Sequence, residues 1–211
     1  MEKKSFSINE AIREGWELTK VNIGFLISYQ ILLFFLIWLF SDTQNGWKLA
    51  PVNVIGWLLI LLAKMGFYQS ALLITKGLKP RFDQFYKNWR LLFTWVIASI
   101  LFAAMLAIGL SLLIVPGLII IAMCGFYPFF ILDKGVGPIE ALQLSAKATK
   151  GIRTDVFLLF ISCIGLDLLG MLFFGIGILI TAPVSLIALT TVYRKITGQE
   201  AISIQPSDII Y

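Results

Sequence analysis

Two charged residues lie inside long apolar runs of this sequence: Lys64 at the midpoint of 54–74, and Asp167 within 156–174. If those runs cross a bilayer, each charge costs at least about 2.5–3.5 kcal/mol at the membrane centre, so it must face a partner, a cavity or water. At 1.5 Å per residue both fall roughly 16 Å from the same membrane face, a common depth at which they could meet. Three chemistries fit. The two form an ion pair that stitches hairpins together; they line a polar cavity for an ion, a proton or a lipid headgroup; or Lys64 snorkels unpaired and Asp167 is protonated.

Little else in the chain could react. There is no histidine, and both cysteines, Cys124 and Cys163, lie in apolar runs as small buried residues would, so no metal or haem ligand set is expected. Of the acidic residues only Asp167 is deep in an apolar run, and no nucleophile with a base and no paired carboxylates can be picked out. The expectation is a protein that needs no cofactor and is not an enzyme. The net charge of +5 comes from basic residues beside apolar runs, not from a separate basic domain. That pattern points to a membrane surface and away from nucleic acid.

The elements that carry these residues follow from composition. Of 211 residues 59% are hydrophobic and 14% charged, against roughly 45–50% and about 25% in soluble domains. A helical span takes about 20 apolar residues, and the runs 23–40, 54–74, 91–115, 118–132, 156–174 and 176–192 supply six. Unbroken, 91–132 would make a helix about 60 Å long, twice the hydrocarbon thickness. Pro116 and Gly117 must turn it back, and Gly175 and Gly177 do the same for 156–192, while Pro183 loosens the last span. The expected fold is all-α and polytopic, with six transmembrane helices in three hairpins and a single membrane domain over 1–211.

Charge orients it. All of the 17 lysines and arginines except Lys48 and Lys64 fall in the N-terminal segment, in the segments after the second and fourth spans, or in the tail. Positive-inside retention places those segments, and with them both termini, in the cytoplasm. The N-terminal segment lacks an apolar core with a small-residue cleavage site, so the first span serves as its own insertion signal. Trp38, Trp47, Trp57, Trp89 and Tyr193 sit near span ends as an interfacial belt would. Gln30, Gln69, Ser99, Ser111 and Ser162 read as interhelical hydrogen-bond formers.

Each hairpin is preceded by a short segment with the spacing of an amphipathic helix at the cytoplasmic face. In the first, Ile8, Ala11, Ile12, Gly15, Trp16 and Thr19 share a side, and Ser7 with Glu10 spells a capping box. In the second, Phe82, Phe85, Tyr86 and Trp89 form the stripe. The third starts at Pro138, with Ile139, Leu142, Ala146 and Thr149 opposite Glu140, Gln143, Lys147 and Lys150. The first and third align without gaps, Glu10-Ala11 with Glu140-Ala141 and Thr19-Lys20 with Thr149-Lys150, as a tandem parallel repeat would; any hairpin protein with interfacial helices would also look roughly periodic.

The run LSLLIVPGLIIIAMCGFYPFFILDKGVGPIEALQLSAKATKG and the closing ITAPVSLIALTTVYRKITG resemble bacterial membrane-protein families related to the membrane domain of glycerophosphodiester phosphodiesterases, including YciC-like proteins. The shared features are Pro116-Gly117, Asp133, Glu140-Ala141 with Ser145 and Lys147, and Tyr193-Arg194. The resemblance spans Phe6 to Gly198. It implies a helical inner-membrane protein, and not the chemistry of the catalytic domain that some relatives carry.

Function is then expected to be non-enzymatic: organising envelope lipids, especially anionic headgroups, or supporting a partner membrane complex, with a homo-oligomer or a membrane protein as partner. A small oligomeric transporter or channel using Lys64 and Asp167, and a bacteriocin-immunity or stress-protection protein, are the alternatives. Topology is directly testable. Reporters fused after Tyr211 and inserted at Asn45 should report opposite sides of the membrane, and a cytoplasmic signal at Asn45 would overturn the six-span reading.

Overall fold

The computed structural model describes residues 6–41, 50–83, 89–112, 114–172 and 175–199, which are helical throughout apart from turns and short connections. The helices are α1 (Ile8–Val21), α2 (Ile23–Ser41), α3 (Ala50–Thr75), α4 (Leu92–Leu112), α5 (Ile114–Cys124), α6 (Tyr127–Lys134), α7 (Pro138–Ala148), α8 (Arg153–Leu172) and α9 (Ile178–Thr197). Six segments are long and apolar enough to cross a membrane: Ile23–Phe40, Val54–Thr75, Trp89–Leu112, Val115–Lys134, Arg153–Leu172 and Ile178–Thr197. The fold is all-α and polytopic. The fourth span consists of α5 and α6 in series, and the sixth reaches five residues past its expected end at 192.

Burial sorts the spans into two rings. The second, fourth and sixth have 56%, 50% and 61% of their residues buried, against 22%, 17% and 22% in the first, third and fifth. The even-numbered spans therefore form an inner trio and the odd-numbered ones an outer shell. Large side chains such as Phe126, Phe129, Phe130, Tyr193 and Met65 fill the centre, each less than 2% exposed. Between lipid-bathed helices there is no aqueous hydrophobic drive, so cohesion comes from this close packing and from polar contacts.

The three inner spans share an ending. Each is followed by a glycine in the left-handed region, Gly77 (φ 71°), Gly135 (φ 65°) and Gly198 (φ 73°), a conformation that costs a residue with a Cβ about 1–2 kcal/mol. The short helices repeat as well, in a stripe of small residues. Ala11, Gly15 and Thr19 of α1 are buried, as are Ala141, Ser145 and Thr149, which occupy the matching positions in and just after α7. Gly15 lies against α9, where a Cβ would meet the Val184 carbonyl oxygen at 2.8 Å. The expected stripe is thus narrower than its spacing suggests. Trp16 and Ile139 stay 43% and 62% exposed, because small residues let these helices lie flat on their supports. Ser7 caps α1 by accepting from the Glu10 N–H at 3.5 Å; the Glu10 carboxylate instead approaches Lys195 at 3.6 Å. Of the second expected stripe, Phe85 and Tyr86 fall outside the described residues, while Phe82 packs on Phe25 and Tyr29 of α2.

One of the expected turns is placed differently. Pro116 and Gly117 lie in the first turn of α5, not in the reversal itself. Proline is tolerated there because the first helical N–H groups have no intrahelical acceptor. Gly117 instead allows close approach, its Cα lying 3.1 Å from where a Gly109 Cβ would stand. In the third hairpin Gly175 does make the turn, with φ 73°, and Gly177 caps α9 against the Gly170 backbone.

The fourth span also breaks at Gly125-Phe126, just before Pro128, which opens α6 and has no N–H to continue the ladder of α5. Ser145 of α7 mends it, its hydroxyl donating to the Met123 carbonyl at 2.8 Å and accepting from the Phe126 N–H at 3.3 Å. Thr149 donates to the same carbonyl at 3.3 Å. Within a membrane such freed backbone groups have no water to turn to, so partners from a neighbouring helix are what make the break tolerable.

Gly15→Ala should lower thermal stability in detergent by about 1–3 kcal/mol, as overpacking against backbone does. Gly24→Ala, at a position with nothing within 4 Å, should leave it unchanged or raise it. Equal effects at the two positions would refute the close seating of α1.

Candidate functional site

Where the three inner spans end, they converge on one carboxylate. Asp133, at the end of α6, has a side chain only 4% exposed, and Lys76, just past α3, places Nζ 2.6 Å from Oδ1. The Tyr193 hydroxyl of α9 donates to Oδ2 at 3.0 Å, and the Gln199 amide donates to the same oxygen at 2.8 Å. Buried Arg194 adds a second positive charge nearby. Phe129 stacks on the Tyr193 ring at 5.4 Å and Phe130 meets it edge-on at 5.0 Å, so packing aims the hydroxyl. Both oxygens of this carboxylate are engaged by donors, which suits a brace better than a base.

Asp133 and Tyr193-Arg194 are noticeable in the sequence as paired features of a resemblance, but not as a contact. Lys76 reads there as one loop cation among several, and Tyr193 as a member of the aromatic belt. The structure corrects the latter: Tyr193 is 0% exposed, whereas Trp38, Trp57 and Trp89 are 69%, 64% and 57% exposed as belt residues should be. Trp47 lies outside the described residues. The one signal for the junction is an acidic residue closing an apolar run on the side where lysine and arginine accumulate.

Lys64 and Asp167 do not meet. Lys64 is exposed on α3 and lines a half-open groove of about 220 Å³ with Gln30, Leu33, Phe34 and Ile37 of α2 and Phe67 and Tyr68 of α3. Asp167 is half-buried on α8, where Oδ1 accepts from the Ser185 hydroxyl of α9 at 2.9 Å. Among the described residues no ion pair involves either of them. They occupy different faces, since α3 packs chiefly on α2, α6 and α9, and α8 on α5 and α9.

Of the other expected polar contacts between spans, Ser99 makes one, sharing a hydrogen bond with the Tyr127 hydroxyl at 2.9 Å. Ser111 and Ser162 bond back to carbonyls of their own helices, the usual resort of a hydroxyl in a helix without a polar neighbour. The Gln30 and Gln69 side-chain oxygens are buried without a hydrogen-bond partner among the described residues. Cys124 and Cys163 are buried free thiols. Among the described residues no group of three or more His, Cys, Asp or Glu is gathered as a metal site. Compared with known proteins, the chain matches no family model, no curated protein and no solved structure.

The Asp133 junction makes a graded prediction. Lys76→Met removes the cation facing a buried carboxylate and should cost about 3–5 kcal/mol. Tyr193→Phe removes one hydrogen bond to a charged group and should cost about 1.5–3 kcal/mol. Thermal unfolding in detergent should rank them in that order, and a neutral Lys76→Met would show that the junction braces nothing.

Proposed function

We propose that this chain is a non-enzymatic, multi-pass protein of the bacterial inner membrane, with both termini in the cytoplasm, that organises anionic envelope lipids and lends that surface to a partner membrane complex. The observation that carries this reading is the ring of exposed side chains at the end of the bundle where the inner spans stop. Apolar Trp16, Leu78, Phe82, Trp89 and Ile139 are all more than 40% exposed there. Exposed Lys79, Arg81, Arg90, Lys134 and Lys150 accompany them. Aromatic and aliphatic groups at the headgroup level beside cations are the pairing that anionic bilayers retain.

The filled centre favours the same reading over transport. A solute path along the bundle axis would have to displace Phe126, Phe129 and Phe130, which are at most 1% exposed and locked around Tyr193. The resemblance to families related to the phosphodiesterase membrane domain is compatible with a lipid-facing role, and contributes no substrate.

Protein purified in native nanodiscs should carry anionic lipid above its share of the membrane, read by mass spectrometry of the extracted lipids. Replacing Lys79, Arg90 and Lys150 by Gln should weaken that preference by about 1 kcal/mol per charge removed, an effect that fades as salt is raised. A lipid profile equal to the bulk membrane, or solute flux through protein-bearing liposomes, would sink the reading.

A further inference from the structure

We infer that Lys64 and Asp167 pair between copies of this chain, so that the groove between α2 and α3 of one molecule receives the outer face of α8 of the next. Each residue presents an unresolved charge. Lys64 stands on the outside of the bundle at mid-span, with no acidic partner among the described residues, and Gln30 in the same groove has a buried side-chain oxygen with no hydrogen-bond partner among them. Asp167 has the Ser185 hydroxyl, which is neutral and leaves the charge uncancelled.

Their levels fall within reach of one another when measured from a common mark. Lys76 is fixed to Asp133, and Lys64 lies about 18 Å further along α3 at 1.5 Å per residue. Tyr193 is fixed to the same carboxylate, and Asp167 is held by Ser185, eight residues back along α9, which puts it about 12 Å from that mark. The flexible four-carbon lysine stem spans the difference.

Shape agrees with charge. Asp167 shares its helix face with exposed Ile164, Leu168 and Met171, an apolar ridge with one acid. The groove is apolar, walled by Leu33, Phe34, Ile37 and Phe67, with one cation. A ridge of this kind seated in such a groove places opposite charges together where the hydrocarbon offers neither of them water. Because groove and ridge belong to different faces of the molecule, the contact is head-to-tail, and repeats into a ring or a row instead of closing a two-fold dimer.

Cysteine pairing in native membranes tests this. In a background with Cys124→Ala and Cys163→Ala, co-expressed Lys64→Cys and Asp167→Cys chains should cross-link to each other, and neither should cross-link when expressed alone. Cross-linking of Lys64→Cys to itself, to a different protein, or to nothing overturns the inference. Charge exchange provides a second readout that does not depend on cysteine. Native mass spectrometry of the assembly should show association weakened about ten-fold or more by Lys64→Asp and by Asp167→Lys separately, and restored in the chain carrying both. Full assembly in both single variants, or no recovery in a well-folded double variant, equally overturns it.

Discussion

A single buried carboxylate sets the terms for the rest of this bundle. Asp133 cannot be left alone where it is, because a carboxylate removed from water must recover its hydration from the protein. It recovers it from Lys76 after α3 and from Tyr193 and Gln199 in and after α9. One polar group thereby fixes the relative height of three long apolar helices that could otherwise slide past one another. Helices coated in leucine and isoleucine have almost no preferred register in lipid, and the Asp133 junction supplies one. The glycine endings at Gly77, Gly135 and Gly198 let the chain leave each inner span soon after that level.

With the inner trio pinned at one end, the short helices handle its irregularities. α7 lies where the fourth span breaks and covers the freed backbone with Ser145 and Thr149. α1 lies against α9 near Pro183, a residue that removes a backbone donor from the helix interior. In both cases the seated helix brings Ala, a small residue and Thr at four-residue spacing; the hydroxyls of α7 bond to the span they cover, whereas Thr19 of α1 bonds back to the Gly15 carbonyl and its helix supports α9 by close packing. The two stripes match in position and in residue size, each packed on an inner span.

What the sequence discloses, and what it withholds, divides along the same line. Depth is legible by counting residues, and so the span order, the cap of α1 at Ser7 and the start of α7 at Pro138 can be read. Rotation about the helix axis is not legible, because a helix that is apolar all round has no polar stripe to say which face is inward. That is why Lys64 and Asp167 look like partners on paper and point different ways in the molecule. It is also why Tyr193 passes for a belt residue. The break at Gly125-Phe126 is marked locally by Gly125 and Pro128, but its compensation comes from Ser145 and Thr149, beyond a helix end and a loop, and local pattern cannot show a partner supplied from elsewhere.

The seating of α1 on α9 joins the first of the described helices to the last. Lys195 closes on Glu14 at 2.9 Å across 181 residues of sequence. During synthesis α7 emerges after the broken span it mends, whereas α1 emerges long before the helix on which it rests. Until α9 is made, α1 has a buried stripe with nothing to bury it and a polar face suited to the membrane surface. The span built from α9 is therefore the one that releases α1 from that holding position, and a nascent chain stopped before Ile178 would carry α1 as an open clasp, visible to any quality-control factor that recognises amphipathic helices lying loose on the bilayer.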